Sequence, residues 1–357
     1  MYALVLTLGL LTGISSVHFE QSANARQRAG ALATVADEHA AAGRLVEAIR
    51  VMEEAERIAP EWPELKVNLA ALRSQAGDYV GAIAAARGAL QIDNRLEGAW
   101  LNLGLAQLKS GDATAAAATL TRYKDRRDAP PVAIAALGLA LFRIGRTAEG
   151  AETLQRAVAA GMRDADVLLS LGDAEDARHD WAAAEAAYRR ALTANPAVPR
   201  GHYSLGLVLY KQRRYDEAAG EFDRELASDP DYAPALRYRA EVELDRGNAD
   251  AAVPLLQRLT ATAPRDGDGW RLLGRARLDL AGAADVTEAA AALQRAIELA
   301  PEDSSAHFLL GRALARAGRK VEADAAFARA SELNQRLRDR LQQRVSGKKG
   351  GGASPNR

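Results

Sequence analysis

The sequence predicts an all-α fold, a solenoid of about nine antiparallel helix pairs. Three observations carry that expectation: a 34-residue spacing of glycines, parallel series of small residues and prolines in the same register, and a composition dominated by alanine and leucine with 5% aromatics. Hydrophobic residues make up 48% of the 357 and charged residues 26%, which supplies ample apolar surface for a packed interior. Alanine and leucine are strong helix formers, and alanine lets helices pack closely.

The period is read first from the glycines. Gly43, Gly77, Gly111 and Gly145 stand 34 residues apart; Gly247 follows three periods later, and Gly318 two periods plus three residues after that. His179 and Arg213 fill the two skipped slots, so glycine is preferred there but not required. A second series is Gly104, Gly138, Gly172, Gly206, Gly274 and, after the three-residue slip, Gly311. A third is Ala48, Ala82, Ala116, Ala184, Ala218, Ala252, Ala289 and Ala323, with Gly150 in one gap; a fourth is Pro60, Pro196, Pro230, Pro264 and Pro301.

Each series has a physical role. Glycine in the first takes the left-handed conformation that ends one helix. The small residues of the second and third sit where two helices cross, since a larger side chain would hold the backbones apart. Proline closes the second helix because it cannot continue the hydrogen-bond ladder. Between the marks the apolar residues follow helical spacing, as in Trp100, Leu103, Ala116 and Leu120. The pairs begin near residues 29, 63, 97, 131, 165, 199, 233, 267 and 304.

Several copies depart from the pattern. The eighth copy carries three extra residues in LDLAGAADVTEA, which should lengthen its turn. The copies at 97 and 131 hold Asp128 and Met162 where proline is expected, so their second helices should stop at Pro130 and Gly161. The ninth copy lacks the proline too, and its second helix reads on through Leu333, Leu337, Leu341 and Val345 at i+4 spacing.

The copy His202, Leu205, Gly206, Leu209, Tyr215, Ala218, Phe222 and Pro230 is the clearest version of W/L-x-x-L-G-x-x-Y, then A-x-x-x-F-x-x-A, then P, with His202, Leu209 and Glu225 standing in the W/L, Y and last A positions. That pattern, repeated at 34 residues over about 310 residues, resembles the tetratricopeptide repeat family. The resemblance implies a right-handed superhelix with a concave face lined by the first helix of each pair, and a scaffold or adaptor that holds a peptide or partner protein there.

On that geometry the second, fifth, ninth, twelfth and thirteenth positions of each copy face the groove. They give Leu101, Leu105, Leu108, Leu139 and Phe142 in the copies at 97 and 131, and Tyr203, Leu207 and Tyr210, with Arg200 and Lys211, in the copy at 199. Further along they give Arg237, Glu241, Asp245, Arg271, Arg275, Asp279, Arg312 and Arg316. An apolar middle with charged flanks suits an amphipathic or extended peptide. The other reading of the leucines is packing between neighbouring helices; large aromatics on a concave face favour binding. The carboxylate clamp of some family members is missing, because the copies flanking Asn102 offer Val67, Ala71, Val132 and Ala136 where it needs basic and amide groups.

No enzyme is expected, and no cofactor, metal or small-molecule substrate. There is no cysteine, and none of His18, His39, His179, His202 and His307 has a second ligand at metal spacing. His202 and His307 share the packing slot of Trp100 and Trp270. No phosphate loop or nucleophile elbow occurs. The alternative to a free-standing adaptor is a non-catalytic recruiting subunit of a multiprotein enzyme or of an envelope-assembly complex.

The ends complete the expected organisation. Residues 1–25 contain an uncharged run from Tyr2 to Val17 and an Ala23-Asn24-Ala25 cleavage pattern, which fits a signal peptide or a membrane anchor without a basic leader. That would make the protein exported, periplasmic or membrane-associated, the alternative being cytoplasmic. Residues 26–337 form the solenoid, 338–345 a capping helix and 346–357 a disordered basic tail. From Ser304 to Arg357 there are 12 Lys/Arg against 4 Asp/Glu, within a chain of 47 each. No aromatics interleave with these basic residues, so nucleic acid is not the expected partner.

Overall fold

The computed structural model describes residues 23–280 and 282–350, so the apolar run of residues 1–22 and the tail beyond 350 lie outside the described residues. The chain divides into two units, Met1–Ala194 and Asn195–Arg357. In the first, five helix pairs follow one another: α1 (23–41) with α2 (Leu45–Ile58), α3 (Pro63–Gln75) with α4 (Tyr79–Ile92), α5 (Glu97–Lys109) with α6 (Ala113–Leu120), α7 (Pro131–Arg143) with α8 (Thr147–Ala159), and α9 (Ala165–Ala177) with α10 (Trp181–Ala194). The second holds α11 (Gly201–Lys211) with α12 (Tyr215–Ser228), α13 (Ala233–Asp245) with α14 (Ala249–Thr262), α15 (Gly267–Leu280) with α16 (Ala283–Leu299), and α17 (Ser304–Arg316) with α18 (Lys320–Gly350).

The turn inside each pair is the structural form of the glycine series. Gly43, Gly77, Gly111, Gly145, Gly247 and Gly318 all have φ between 75° and 92°. His179 and Arg213 take the same left-handed conformation at φ 62° and 61°, which costs an L-residue about 1 kcal/mol each. The turn is thus kept even where its preferred residue is not. An aspartate often follows the glycine and starts the next helix: the side chains of Asp78 and Asp112 accept hydrogen bonds from the backbone N–H groups of Gly81 and Ala115.

The second glycine series marks the crossing of the two helices. A Cβ at Gly206 would lie 2.7 Å from the Phe222 ring, and one at Gly138 would lie 2.8 Å from Leu154. The alanines of the third series, from Ala48 to Ala323, are at most 2% exposed. Each proline of the fourth series stands two residues past the end of a helix: α2, α10, α12, α14 and α16 end at Ile58, Ala194, Ser228, Thr262 and Leu299.

Three expected details differ. The helix α6 ends at Leu120, ten residues before Pro130, and passes into a 3-10 turn, Thr121–Tyr123. There Thr121 Oγ1 donates to the Ala117 carbonyl, and the Tyr123 ring turns inward, 1% exposed, with its hydroxyl donating to the Glu97 carbonyl at 2.9 Å. The three extra residues of the eighth copy do not lengthen a turn; they are taken up by α16, which has 17 residues. Helix-forming alanines make extension of the helix cheaper than an open loop. Finally, α18 runs unbroken for 31 residues to Gly350. Residues 338–345 are therefore the continuation of the last second helix and not a separate cap, and residues 346–350 continue as helix where a disordered tail is expected. With no proline at the closing slot, extending a formed helix needs no new nucleus.

Within each unit successive first helices touch: α3 with α5, α5 with α7 and α7 with α9 in the first, and α11 with α13, α13 with α15 and α15 with α17 in the second. Successive second helices stand farther apart. The first helices are accordingly the inner, concave layer of each unit.

Candidate functional site

On the inner layer of the first unit, α5 and α7 leave a hollow of about 480 Å³. Leu105 and Leu108 of α5 and Val132, Ala135, Ala136 and Leu139 of α7 form its walls, with Val167 from α9 closing one side. Alanines at 135 and 136 create the space, since longer side chains there would fill it. Lys109, Arg143 and Asp164 stand at its edge. Arg143 is held in place by donating from Nη1 to the Leu108 carbonyl at 3.1 Å, 35 residues back in the chain. Asn102 makes the same kind of bond one repeat earlier, donating to the Val67 carbonyl at 3.0 Å. These side chains tie one first helix to the next, α5 to α3 through Asn102 and α7 to α5 through Arg143 at the hollow itself.

The residues named from repeat position divide accordingly. Leu105, Leu108 and Leu139 line the hollow, although Leu108 is a buried wall at 6% exposure. Leu101 and Phe142 do not line it; both are half-buried, and the Phe142 backbone packs against Gly150, where a Cβ would come within 2.8 Å. Sequence reasoning passed over Ala135, Ala136, Met162 and Val167. A bulk comparison at equivalent positions would have found the two alanines.

The second unit is different. Tyr203 packs edge-on to Tyr232 with ring centres 5.4 Å apart, and lies 6.2 Å from Phe222 and 6.1 Å from Tyr238. Tyr210 lies 5.6 Å from Tyr215 and 5.7 Å from Tyr238, and its hydroxyl donates to Asp245 at 2.8 Å. Burial, reinforced by the neighbouring tyrosines, pushes the Tyr203 hydroxyl up to about 12; burial and the Asp245 hydrogen bond push Tyr210 upward too. Leu207 between them is half-buried.

The arginines are engaged in the same way. Arg237 reaches Asp266 at 3.3 Å, and its Nε is buried with no hydrogen-bond partner among the described residues. Arg271 pairs with Asp268 at 2.8 Å and Asp303 at 3.2 Å, and Arg275 stands 3.8 Å from Asp245 and 3.9 Å from Asp279. Arg312 forms no ion pair among the described residues. The predicted binding stripe of this unit is thus a set of side chains that largely satisfy one another.

The packing reading of the histidines and tryptophans agrees with the structure. Trp100 and Trp270 donate to carbonyls six residues upstream, Asn94 at 2.9 Å and Pro264 at 3.0 Å, and His307 contacts Pro301 O in the same way at 3.1 Å. His202 instead meets Glu221 at 2.7 Å. Among the described residues no group of His, Asp and Glu could hold a metal ion, and no helix is long and apolar enough to cross a membrane.

The comparisons with known proteins follow the repeats. Two models described as tetratricopeptide repeat match the chain, one over residues 135–199, 169–233 and 278–335 and the other over 209–276. Tetratricopeptide repeat protein 37 of Xenopus laevis is 28% identical over 185 residues, 47% of this chain and 12% of that protein. Cellulose synthase operon protein C of Xanthomonas axonopodis pv. citri is 29% identical over 206 residues, 55% of this chain and 13% of that protein. The chain therefore spans about an eighth of the length of these relatives. Among solved structures, MamA from Desulfovibrio magneticus RS-1 is 24% identical with a TM-score of 0.45, covering 48% of this chain and 95% of its own. YrrB, described as having an unusual peptide-binding site, is 20% identical with a TM-score of 0.45 over 51% of this chain and 93% of its own. The repeat matches together take in more than half of the chain, and the chain belongs to the tetratricopeptide repeat family, whose repeats serve as protein-interaction scaffolds.

Proposed function

We propose that the chain is an adaptor that holds a peptide segment of a partner protein on the inner layer of its first unit, with an apolar side chain seated between α5 and α7. The observation that carries this reading is the hollow lined by Leu105, Leu139 and Val132, which nothing else among the described residues fills. Apolar walls release water when an apolar side chain enters, and the Lys109 and Arg143 edge gives orientation to the peptide around it. YrrB's peptide-binding site is in keeping with this use of the fold but belongs to that protein.

The test is affinity capture with mass spectrometry, comparing wild type with Leu105→Glu/Leu139→Glu. Both positions are partly exposed, so the variant should keep its helical circular dichroism. A partner held by wild type and weakened about tenfold or more by the two charges supports the reading. Identical captures by both proteins would remove the hollow from the binding surface.

A further inference from the structure

At the far end of the second unit the fold leaves an amphipathic surface with no partner among the described residues. The second helices of the preceding pairs in this unit have 14 or 17 residues, whereas α18 has 31, so it runs about 25 Å past the usual closing point. Ser304 at the start of α17 bonds Asn334 at 2.8 Å, which marks where α17 stops covering α18. Leu333, just before, is 4% exposed; Leu337 and Leu341, beyond it, are 50% and 52% exposed.

These leucines continue a hollow. Asn334, Ser304, Ser305, Phe308 and Leu309 line a recess of about 350 Å³ between α17 and α18. Asn334, Leu337 and Leu341 stand at i, i+3 and i+7, so they share one helix face with the recess at its base. Phe308 adds to the same end. It occupies the repeat position of Arg237 and Arg271, which reach aspartates at the start of the following pair, yet it is an apolar ring, 51% exposed, resting 5.6 Å from Phe327. Where the two preceding repeats carry an ion pair toward the next helix, this repeat offers an apolar contact.

Charge selects the occupant. From residue 332 to 350 the acids are Glu332 and Asp339, and the bases are Arg336, Arg338, Arg340, Arg344, Lys348 and Lys349. Arg336 is paired with Glu332, Arg340 lies only 3.8 Å from Glu302, and Arg338 forms no ion pair among the described residues. A second copy of this helix would bring the same positive excess against itself, which is unfavourable. A flat anionic bilayer would meet the leucines but could not fill the recess beside Phe308. We infer that this end of the chain docks an acidic amphipathic helix of a partner protein, its apolar face on Leu337, Leu341 and Phe308 and its carboxylates toward the arginines. This surface is separate from the hollow between α5 and α7, and the inference does not rest on it.

The experiment uses the full chain and a synthetic helix with Leu at a and d positions and Glu on its flanks, labelled for fluorescence anisotropy. Wild type should bind it, and a scrambled peptide of the same composition should bind about tenfold more weakly or worse. Leu337→Glu/Leu341→Glu should lose the acidic helix by a similar factor with unchanged helicity. Arg338→Glu/Arg340→Glu should lose it too and gain affinity for the same helix carrying Lys in place of Glu. Absence of binding, or equal binding by wild type and the leucine variant, would overturn the inference. So would leucine-dependent binding to phosphatidylserine vesicles without binding to the peptide, or a leucine-dependent dimer in light scattering, since each assigns the face to a different occupant.

Discussion

The inner layers of the two units use the same repeat positions in opposite ways. Between α5 and α7 the fifth- and ninth-position side chains are aliphatic, the neighbouring residues are alanines, and a hollow remains. Along α11, α13 and α15 the equivalent positions carry tyrosines, arginines and acids that reach one another across successive helices. Facing the groove is therefore not the same as being available in it. Repeat position sets the direction of a side chain, and the neighbours 34 residues away decide whether it is already occupied.

That contrast can be broken at its most buried point. Phe222 is fully buried and stacks 6.1 Å from Tyr238 while touching Tyr203. Phe222→Ala should cost about 3–5 kcal/mol in urea unfolding, and the Tyr203 and Tyr238 rings should lose their near-ultraviolet dichroism with it. A loss below about 1 kcal/mol would mean that the aromatic cluster is loose enough to serve as a binding surface after all.

A matched pair of charges sharpens the comparison. Tyr210→Glu removes the 2.8 Å bond to Asp245 and places a carboxylate beside Asp245 and Glu241, so it should destabilise by about 2 kcal/mol or more. Leu105→Glu points into the open hollow and should cost under about 1 kcal/mol. Equal losses in thermal melts would erase the distinction between a filled and an unfilled inner face.

The smallest effect concerns pH. Burial holds the Glu241 carboxyl above its usual range, with Arg237 pulling the other way. A raised carboxyl takes up a proton more readily folded than unfolded, so its charge costs stability as pH rises from the ordinary glutamate range through the folded value. Glu241→Gln should raise the melting temperature at pH 7, with the gain fading toward about pH 4. Glu243 is the opposite case: burial works against its charge, but hydrogen bonds from Asn248 and Arg239 outweigh it and lower the carboxyl. Its stabilisation is present above the unfolded glutamate pKa and is lost as pH falls through the folded one. Glu243→Gln should therefore lower the melting temperature at pH 7 and converge on wild type in acid.

Much of the fold was legible in the chain. The first helices begin at Pro63, Glu97, Pro131, Ala165, Ala233, Gly267 and Ser304, the residues at which the period places them, because a small residue, a left-handed turn and a proline are each local requirements. The sites were less legible for a physical reason. Tyr203 and Tyr210 stand alone as binding residues in sequence, but Tyr232, Tyr238 and Asp245 from the next pair take up their rings and hydroxyl. The early end of α6 was missed for a related reason, since Tyr123 finds an interior place only in the fold. The run of α18 was legible through Val345, and only its continuation to Gly350 was not.

The early end of α6 has a consequence of its own. Inside the pairs the chain turns within two or three residues, which gives a protease little extended backbone to grip. The connection after Tyr123 is longer, and it carries Lys124, Arg126 and the exposed Arg127 before α7 begins at Pro131. Among the described residues this is the longest connection between helices and the one richest in trypsin's preferred side chains, and a nick there would part the chain within the first unit, between α6 and α7. The wall that Leu105 and Leu108 give to the hollow would then be on one fragment, and that of Leu139 on the other.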